Sequence, residues 1–217
     1  MPRITLLTDF GMADGYVGAV KGVLAAGCPG ALLDDVAHDL APGDVNAAAA
    51  ALRRYWARYP EGTVHLVVVD PGVGTDRRAL AVEADGRFVV APDNGVLAHV
   101  LTEARAWRAV ALRVPEGVSA TFHGRDVFAP AAARLAAGEP LEAIGTPVAD
   151  LVTPEPPPVE RNGGVRRGRV VVVDRFGTLH TNLPGGELKP TDRVRVAGQE
   201  ARVVRTYGDA PPGTLVA

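Results

Sequence analysis

Residues 4–26 read ITLLTDFGMADGYVGAVKGVLAA, and the fold class turns on this stretch. Ile4 to Thr8 is a short apolar run with β-branched members, which suits a strand buried in a sheet. Asp14 to Ala26 places Val17, Val20 and Leu24 on one helical face, and Gly27 with Pro29 stops it. Strand, loop (Asp9-Phe10-Gly11-Met12-Ala13) and helix in that order form the repeating unit of an α/β layer fold.

Working outward, the alternation continues. Asp44 is placed to cap an alanine-rich helix that runs to Tyr59 and ends before Pro60. Thr63 to Val69 reads as a buried strand, followed by the loop from Asp70 to Arg78. Ala79 to Glu83 and Arg87 to Ala91 flank Asp85-Gly86, a two-residue hairpin signal. Pro92-Asp93-Asn94-Gly95 leads into a further helix, Trp107 to Arg113 suggests a strand, and Arg125 to Ala137 a last helix. The expectation is a mainly parallel sheet with flanking helices over residues 1–155, its glycine-bearing loops gathered beyond the carboxyl ends of the strands, where ligands bind.

Thr153 to Pro158 and Asn162-Gly163-Gly164 combine stiffening prolines with freeing glycines, so 156–164 reads as a linker. Beyond it, Arg169 to Val173, Arg193 to Val196 and Ala201 to Thr206 read as strands of a small all-β module, residues 165–217. At about 55 residues such a module is marginal on its own and is expected to lean on another surface.

Composition excludes whole classes of function. The 217 residues are 47% hydrophobic and 22% charged, which rules out disorder and a disulfide-built miniprotein. A net charge of −2 offers no global reason to bind nucleic acid or an anionic membrane. No apolar run approaches the roughly 18 residues of a membrane span. Cys28 is the only cysteine, and no signal-peptide pattern precedes the first strand, so a cytoplasmic protein is expected. Low amide content is compatible with a thermophilic source, while the enrichment in Ala, Arg and Pro can equally reflect a GC-rich genome.

Few residues offer chemistry. Asp70 stands at a strand end before two glycines, with Arg77 and Arg78 close behind; the loop is a substrate pocket or an ordinary turn with a surface ion pair. His123, between Phe122 and Gly124, is the most base-like side chain, because an imidazole titrates near neutrality. His38, His65, His99 and His180 read as packed or exposed histidines without a chemical role. Ser119 is the only serine and lies outside a nucleophile elbow, and Cys28 lacks a neighbouring base. No zinc, calcium or nucleotide-phosphate motif is present, although Asp and His on separate loops could still assemble a metal site.

Read together, several segments resemble the S-adenosyl-L-methionine hydroxide adenosyltransferase family, relatives of the enzymes that attach fluoride or chloride to the adenosyl group. They are Thr8-Asp9-Phe10-Gly11 with Asp14, Tyr16-Val17-Gly18 and Lys21-Gly22; Asp35 with His38; and Val68 to Gly74 with Arg77. Pro92 to Gly95, Thr121 to Asp126, Asp174, Phe176-Gly177 and Thr181-Asn182 complete the match. The resemblance implies an α/β N-terminal domain, a small β-barrel-like C-terminal domain, and a homotrimer with substrate sites at subunit interfaces. It implies hydrolysis of S-adenosyl-L-methionine, as substrate and without cofactor or metal, to adenosine and L-methionine by water or hydroxide at the ribose 5′ carbon.

On this resemblance the water-activating triad falls on Asp70, Arg77 and His123. His123 would accept or relay the proton, Asp70 would orient the nucleophile or the imidazole, and Arg77 would pair with Asp70. Asp9 is expected at the ribose hydroxyls, Asp14 and Asp174 near the methionine ammonium, Phe176 against the adenosyl group, and Thr121 and Phe122 beside the reacting carbon. Gly43 replaces an aromatic of the family, Thr178 replaces an asparagine, and the family's serine-containing segment would fall beyond Ala217. Two other readings compete: a protein that holds an adenosyl compound with little turnover, and a metal-dependent hydrolase.

Overall fold

The first apolar run becomes the second strand of a seven-stranded sheet. In the computed structural model, which describes residues 1–217, the chain forms two units, Met1–Glu155 and Pro156–Ala217. The first unit contains β1 (Arg3–Thr8), α1 (Tyr16–Gly27), β2 (Leu32–Ala37), α2 (Val45–Tyr55), β3 (Val64–Val68), β4 (Ala79–Ala84), β5 (Arg87–Pro92), α3 (Ala98–Glu103), β6 (Trp107–Leu112), α4 (Ala129–Ala136) and β7 (Gly145–Val148). The strand order is β2-β1-β3-β5-β4-β6-β7. The pairs β2–β1, β1–β3 and β3–β5 are parallel, and the rest antiparallel.

The period-2 pattern of the strands sorts side chains onto two cores, one on each face of the sheet. Ile4, Leu6, Val64, Leu66 and Val68 pack with Val20 and Leu24 of α1 and the alanine face of α4. Leu7, Val67, Val69, Val89 and Ala91 face Ala48 and Leu52 of α2 and Val100 of α3. Both faces are therefore covered, and the strands can be apolar throughout. The β4–β5 reversal follows from Asp85 and Gly86, both at positive φ (43° and 74°) as the tight hairpin requires. Asp44 caps α2 by accepting from Ala47 N–H at 2.9 Å.

Some elements depart from the sequence expectation. The helix expected over 125–137 starts as a π turn, Gly124–Phe128, before α4. The helix expected to reach Tyr59 ends at Tyr55 and tightens into a 3-10 turn at Trp56–Arg58. β2 and β7 lie at the two edges of the sheet. Asp34 and Asp35 in β2, and Pro147 in β7, are tolerable only where one side of the strand is unpaired, and they hide the strand signal.

The second unit holds three antiparallel pairs: β8 (Glu160–Asn162) with β9 (Val165–Arg167), β10 (Val170–Val173) with β11 (Leu179–Thr181), and β12 (Val194–Val196) with β13 (Gln199–Ala201). The run expected over 201–206 contributes only Ala201 to β13, and Arg202 bridges singly to Val216. Ala201 is the one buried apolar residue of this unit, while Val165, Val170, Val171 and Val173 are exposed. No helix is long and apolar enough to cross a membrane.

Candidate active site

Because β1 and β3 are parallel neighbours, with Thr8 opposite Val68, their carboxyl ends bring Asp9 and Asp70 to the same edge of the sheet. A cleft of about 120 Å³ opens there, lined by Asp9, Phe10, Asp70, Val73, Thr121 and Gly124 among others. Two glycines allow the crowding. A Cβ on Gly74, whose φ is +79°, would lie 3.0 Å from the Ala120 carbonyl oxygen, and one on Gly124 would lie 3.1 Å from the Phe10 ring.

Arg77 gathers the three triad side chains. Its Nε donates to Asp70 Oδ1 at 2.9 Å and its Nη2 donates to Asp70 Oδ2, a two-pronged pair in which the side chains are only 9% and 5% exposed. The same Nη2 donates to His123 Nδ1 at 3.0 Å. The guanidinium also stacks 5.1 Å from the ring centre of Phe128, which the π turn presents. His123 is buried, and burial first, then the Arg77 cation, lowers its pKa, with Asp70 and Asp126 opposing. The ring is therefore neutral at pH 7. Since an arginine can only donate, Nδ1 is an acceptor and the proton sits on Nε2.

The other expected residues are distributed as follows. Asp9 lines the cleft, and its Oδ2 accepts from Gly43 N–H at 2.7 Å. Gly43 adopts φ +74°, a backbone shape that an aromatic residue takes only under strain, so its departure from the family pattern suits this contact. Thr121 lines the cleft, and Phe122 lies in a ring cluster with Tyr16 (6.0 Å) and beneath the Arg125 guanidinium (4.9 Å). Asp14 is exposed ahead of α1. Asp174 and Phe176 belong to the second unit. There Asp174 Oδ1 accepts from the N–H groups of Phe176 and Thr178, both at 2.9 Å, and Oδ2 faces His180 Nε2 at 3.2 Å. These backbone donors, led by Thr178 N–H, hold its carboxyl below the usual range. Phe176 is 92% exposed.

Sequence reasoning did not single out Phe128 or Asn94 as parts of the site. Asn94 Nδ2 donates to the carbonyl of Val69 at 2.9 Å and so fixes the backbone just before Asp70. Its place in the polar Pro92–Gly95 loop beyond a strand end was the available signal. No group of three or more His, Cys, Asp or Glu side chains is arranged to hold a metal ion.

Comparison with known proteins meets this geometry. The profile of the SAM hydroxide adenosyltransferase N-terminal domain matches residues 4–145, and that of the corresponding C-terminal domain matches 168–217. The chain is 44% identical to a protein of Salinispora arenicola named (R)-S-adenosyl-L-methionine hydrolase, over 99% of this chain and 85% of that one. It is 30% identical to a fluorinase of Actinoplanes sp., over 87% of this chain and 74% of the relative. An uncharacterized conserved protein from Thermotoga maritima has a solved structure that superposes with a TM-score of 0.87 at 36% identity, covering 98% of this chain and 87% of that one. With both domain profiles matched in order and relatives aligned over nearly the whole length, the chain belongs to the SAM hydroxide adenosyltransferase family.

Proposed function

We propose that this protein hydrolyses S-adenosyl-L-methionine to adenosine and L-methionine, with water attacking the ribose 5′ carbon and methionine sulfur leaving as a neutral thioether. The observation that carries the reading is the buried Asp70–Arg77–His123 constellation, whose Asp70 lines the cleft. The name of the Salinispora relative supports it and specifies the (R) form of the substrate. A sulfonium sulfur with three different substituents is stereogenic, so a site that grips both the adenosyl and the methionine ends accepts one epimer in preference.

The hydrogen bonds divide the labour. Nδ1 of His123 is engaged by Arg77, so the ring offers Nε2–H as a donor and orients the nucleophilic oxygen rather than taking its proton. Asp70 keeps acceptor capacity beyond its two bonds to Arg77 and receives that proton. A carboxylate suffices, because water becomes strongly acidic as its oxygen bonds to carbon, whereas free water has a pKa of about 15.7. As attack proceeds the sulfonium loses its charge, so a dry pocket favours the step. Asp9 at the ribose hydroxyls, Thr121 and Phe122 at the reacting carbon, and Asp14, Asp174 and Phe176 around the remainder of the substrate complete the site. No cofactor or metal enters this scheme.

A homotrimer with shared sites is part of the proposal. The cleft, about 120 Å³, is below the roughly 300–1,000 Å³ typical of small-molecule sites, which supports a reading in which a neighbouring subunit completes it. The exposed Phe176 and β10 valines of the second unit supply a surface in need of cover. A cytoplasmic location fits the single, buried, unpaired Cys28.

The test is incubation of the purified protein with each sulfonium epimer separately, with and without chelator, followed by chromatography. Adenosine and methionine from the (R) epimer in the presence of chelator are expected, with Asp70→Asn at least about 100-fold slower. Binding without product supports a scavenging protein, and chelator-sensitive turnover supports a metal-dependent hydrolase; either overturns the proposal.

A further inference from the structure

His38 is buried and plays no part in the triad, yet it sits in a chain of polar contacts that runs from the surface to the turn carrying Asp9 and Phe10. Lys21 Nζ donates to Asp35 Oδ2 at 2.8 Å; His38 Nε2 lies 3.1 Å from Asp35 Oδ1; His38 Nδ1 lies 2.8 Å from Thr8 Oγ1. Phe10 N–H in turn donates to Thr8 Oγ1 at 3.3 Å, and Gly11 N–H donates to the His38 carbonyl at 2.7 Å. His38 thus holds the turn at both ends, through its ring at Thr8 and its backbone at Gly11.

The arrangement depends on an irregularity in the sheet. In a regular strand, residues three apart point to opposite faces, so Asp35 and His38 could not meet. The register between β1 and β2 slips here, Leu6 pairing with Asp35 but Leu7 with Ala37. Val36 and Ala37 consequently both pack on the α2 face, and His38 returns to the α1 face alongside Thr8. The bulge spends one residue of β2 and yields a continuous set of oriented hydrogen bonds.

We propose that Thr8, His38, Asp35 and Lys21 form a positioning relay that sets the Asp9–Phe10 turn against the cleft and thereby tunes affinity for the adenosyl group. The proposal rests on the reading of Asp9 as the ribose contact. Asp35 can only accept, so His38 Nε2 carries a proton; in the singly protonated ring Nδ1 then accepts from the Thr8 hydroxyl, whose oxygen accepts from Phe10 N–H. Loss of the hydroxyl leaves the Nδ1 of buried His38, and the N–H of partly buried Phe10, without this partner.

The experiment compares Thr8→Val, Thr8→Ser, Asp35→Asn and Asp9→Asn in the full-length protein, measuring adenosine Kd by calorimetry, KM and kcat with S-adenosyl-L-methionine, and thermal midpoint. Thr8→Val is expected to weaken adenosine binding and raise KM about ten-fold, with kcat changed less than about three-fold; Thr8→Ser restores both. Asp35→Asn, at a partly exposed position that disturbs folding little, follows in the same direction with a smaller change. Nitrogen NMR of the wild type should show His38 protonated at Nε2. Adenosine affinity unchanged in both Thr8→Val and Asp35→Asn overturns the relay whatever Asp9→Asn does. Adenosine affinity unchanged in Asp9→Asn refutes the ribose reading whatever the relay variants do. A lowered thermal midpoint with unchanged affinity marks a merely structural role and also overturns the proposal.

Discussion

Replacing Arg77 by methionine keeps most of the side-chain volume and removes the guanidinium that binds Asp70 twice and His123 once. With the two side chains of the pair 9% and 5% exposed, the Asp70 carboxylate is left buried without its counter-charge. Removal of one partner from a buried ion pair costs about 3–5 kcal/mol, and the lost stack on Phe128 adds to this. Adding Asp70→Asn neutralises the stranded charge, so the double variant should be more stable than Arg77→Met alone, with a coupling of about 1–3 kcal/mol. Urea unfolding at pH 7 of the wild type, both single variants and the double variant measures it. The same substitution carries a titration signature. Burial and Arg77 lower the His123 pKa while Asp70 and Asp126 raise it, so loss of the cation moves the imidazole titration upward. An Arg77→Met protein within about 1 kcal/mol of the wild type, or a His123 titration that stays in place, would falsify the account of Arg77 as the centre of the site.

Three other outcomes follow from the same structure. Burial brings the His65 pKa down to about 4, against an ordinary value of 6.5. The unfolded chain then binds more protons between those values, so stability present above pH 6.5 falls by about 3 kcal/mol as pH drops to 4; His65→Phe should flatten that slope in acid unfolding, and an unchanged slope contradicts it. Asn94→Ala frees the Val69 carbonyl next to Asp70 and should cost about 1–3 kcal/mol in chemical unfolding together with a lower kcat. Gly74→Ala combines a positive φ with a 3.0 Å approach to the Ala120 carbonyl, and should lower stability by about 1–3 kcal/mol; a neutral result shows that the Asp70 loop yields freely.

The legible parts of the molecule were those with a local physical signature. β1, β3 and the β4–β5 hairpin are apolar runs bounded by turn residues, and the helical faces of Val17, Val20 and Leu24 are buried together as their spacing requires. Edge strands were less legible, because one open side lets Asp34, Asp35 and Pro147 enter without penalty. The π turn at Gly124–Phe128 was equally hidden: its composition does not differ from that of an α-helix, and the residues around it, His123 and Phe128, both contact Arg77. Asp35 with His38 contributed to the family resemblance, but taken alone His38 read as a packed histidine, because their spacing places them on opposite faces of a regular strand and only the bulge brings them together.

The sequence by itself determined the α/β alternation and the family resemblance, and marked the Asp70 and His123 loops as candidates for chemistry, since periodicity, turn chemistry and motif order are carried by neighbouring residues. The tertiary structure decided which atom bonds to which. Arg77 and His123 are 46 residues apart, and Thr8 and His38 are 30 apart. The contact at Nδ1 leaves Nε2 as the proton-bearing nitrogen of His123, and the slip between β1 and β2 brings His38 to Thr8. Hydrogen-bond direction depends on which groups the fold brings within about 3 Å and on which of them can only donate or only accept.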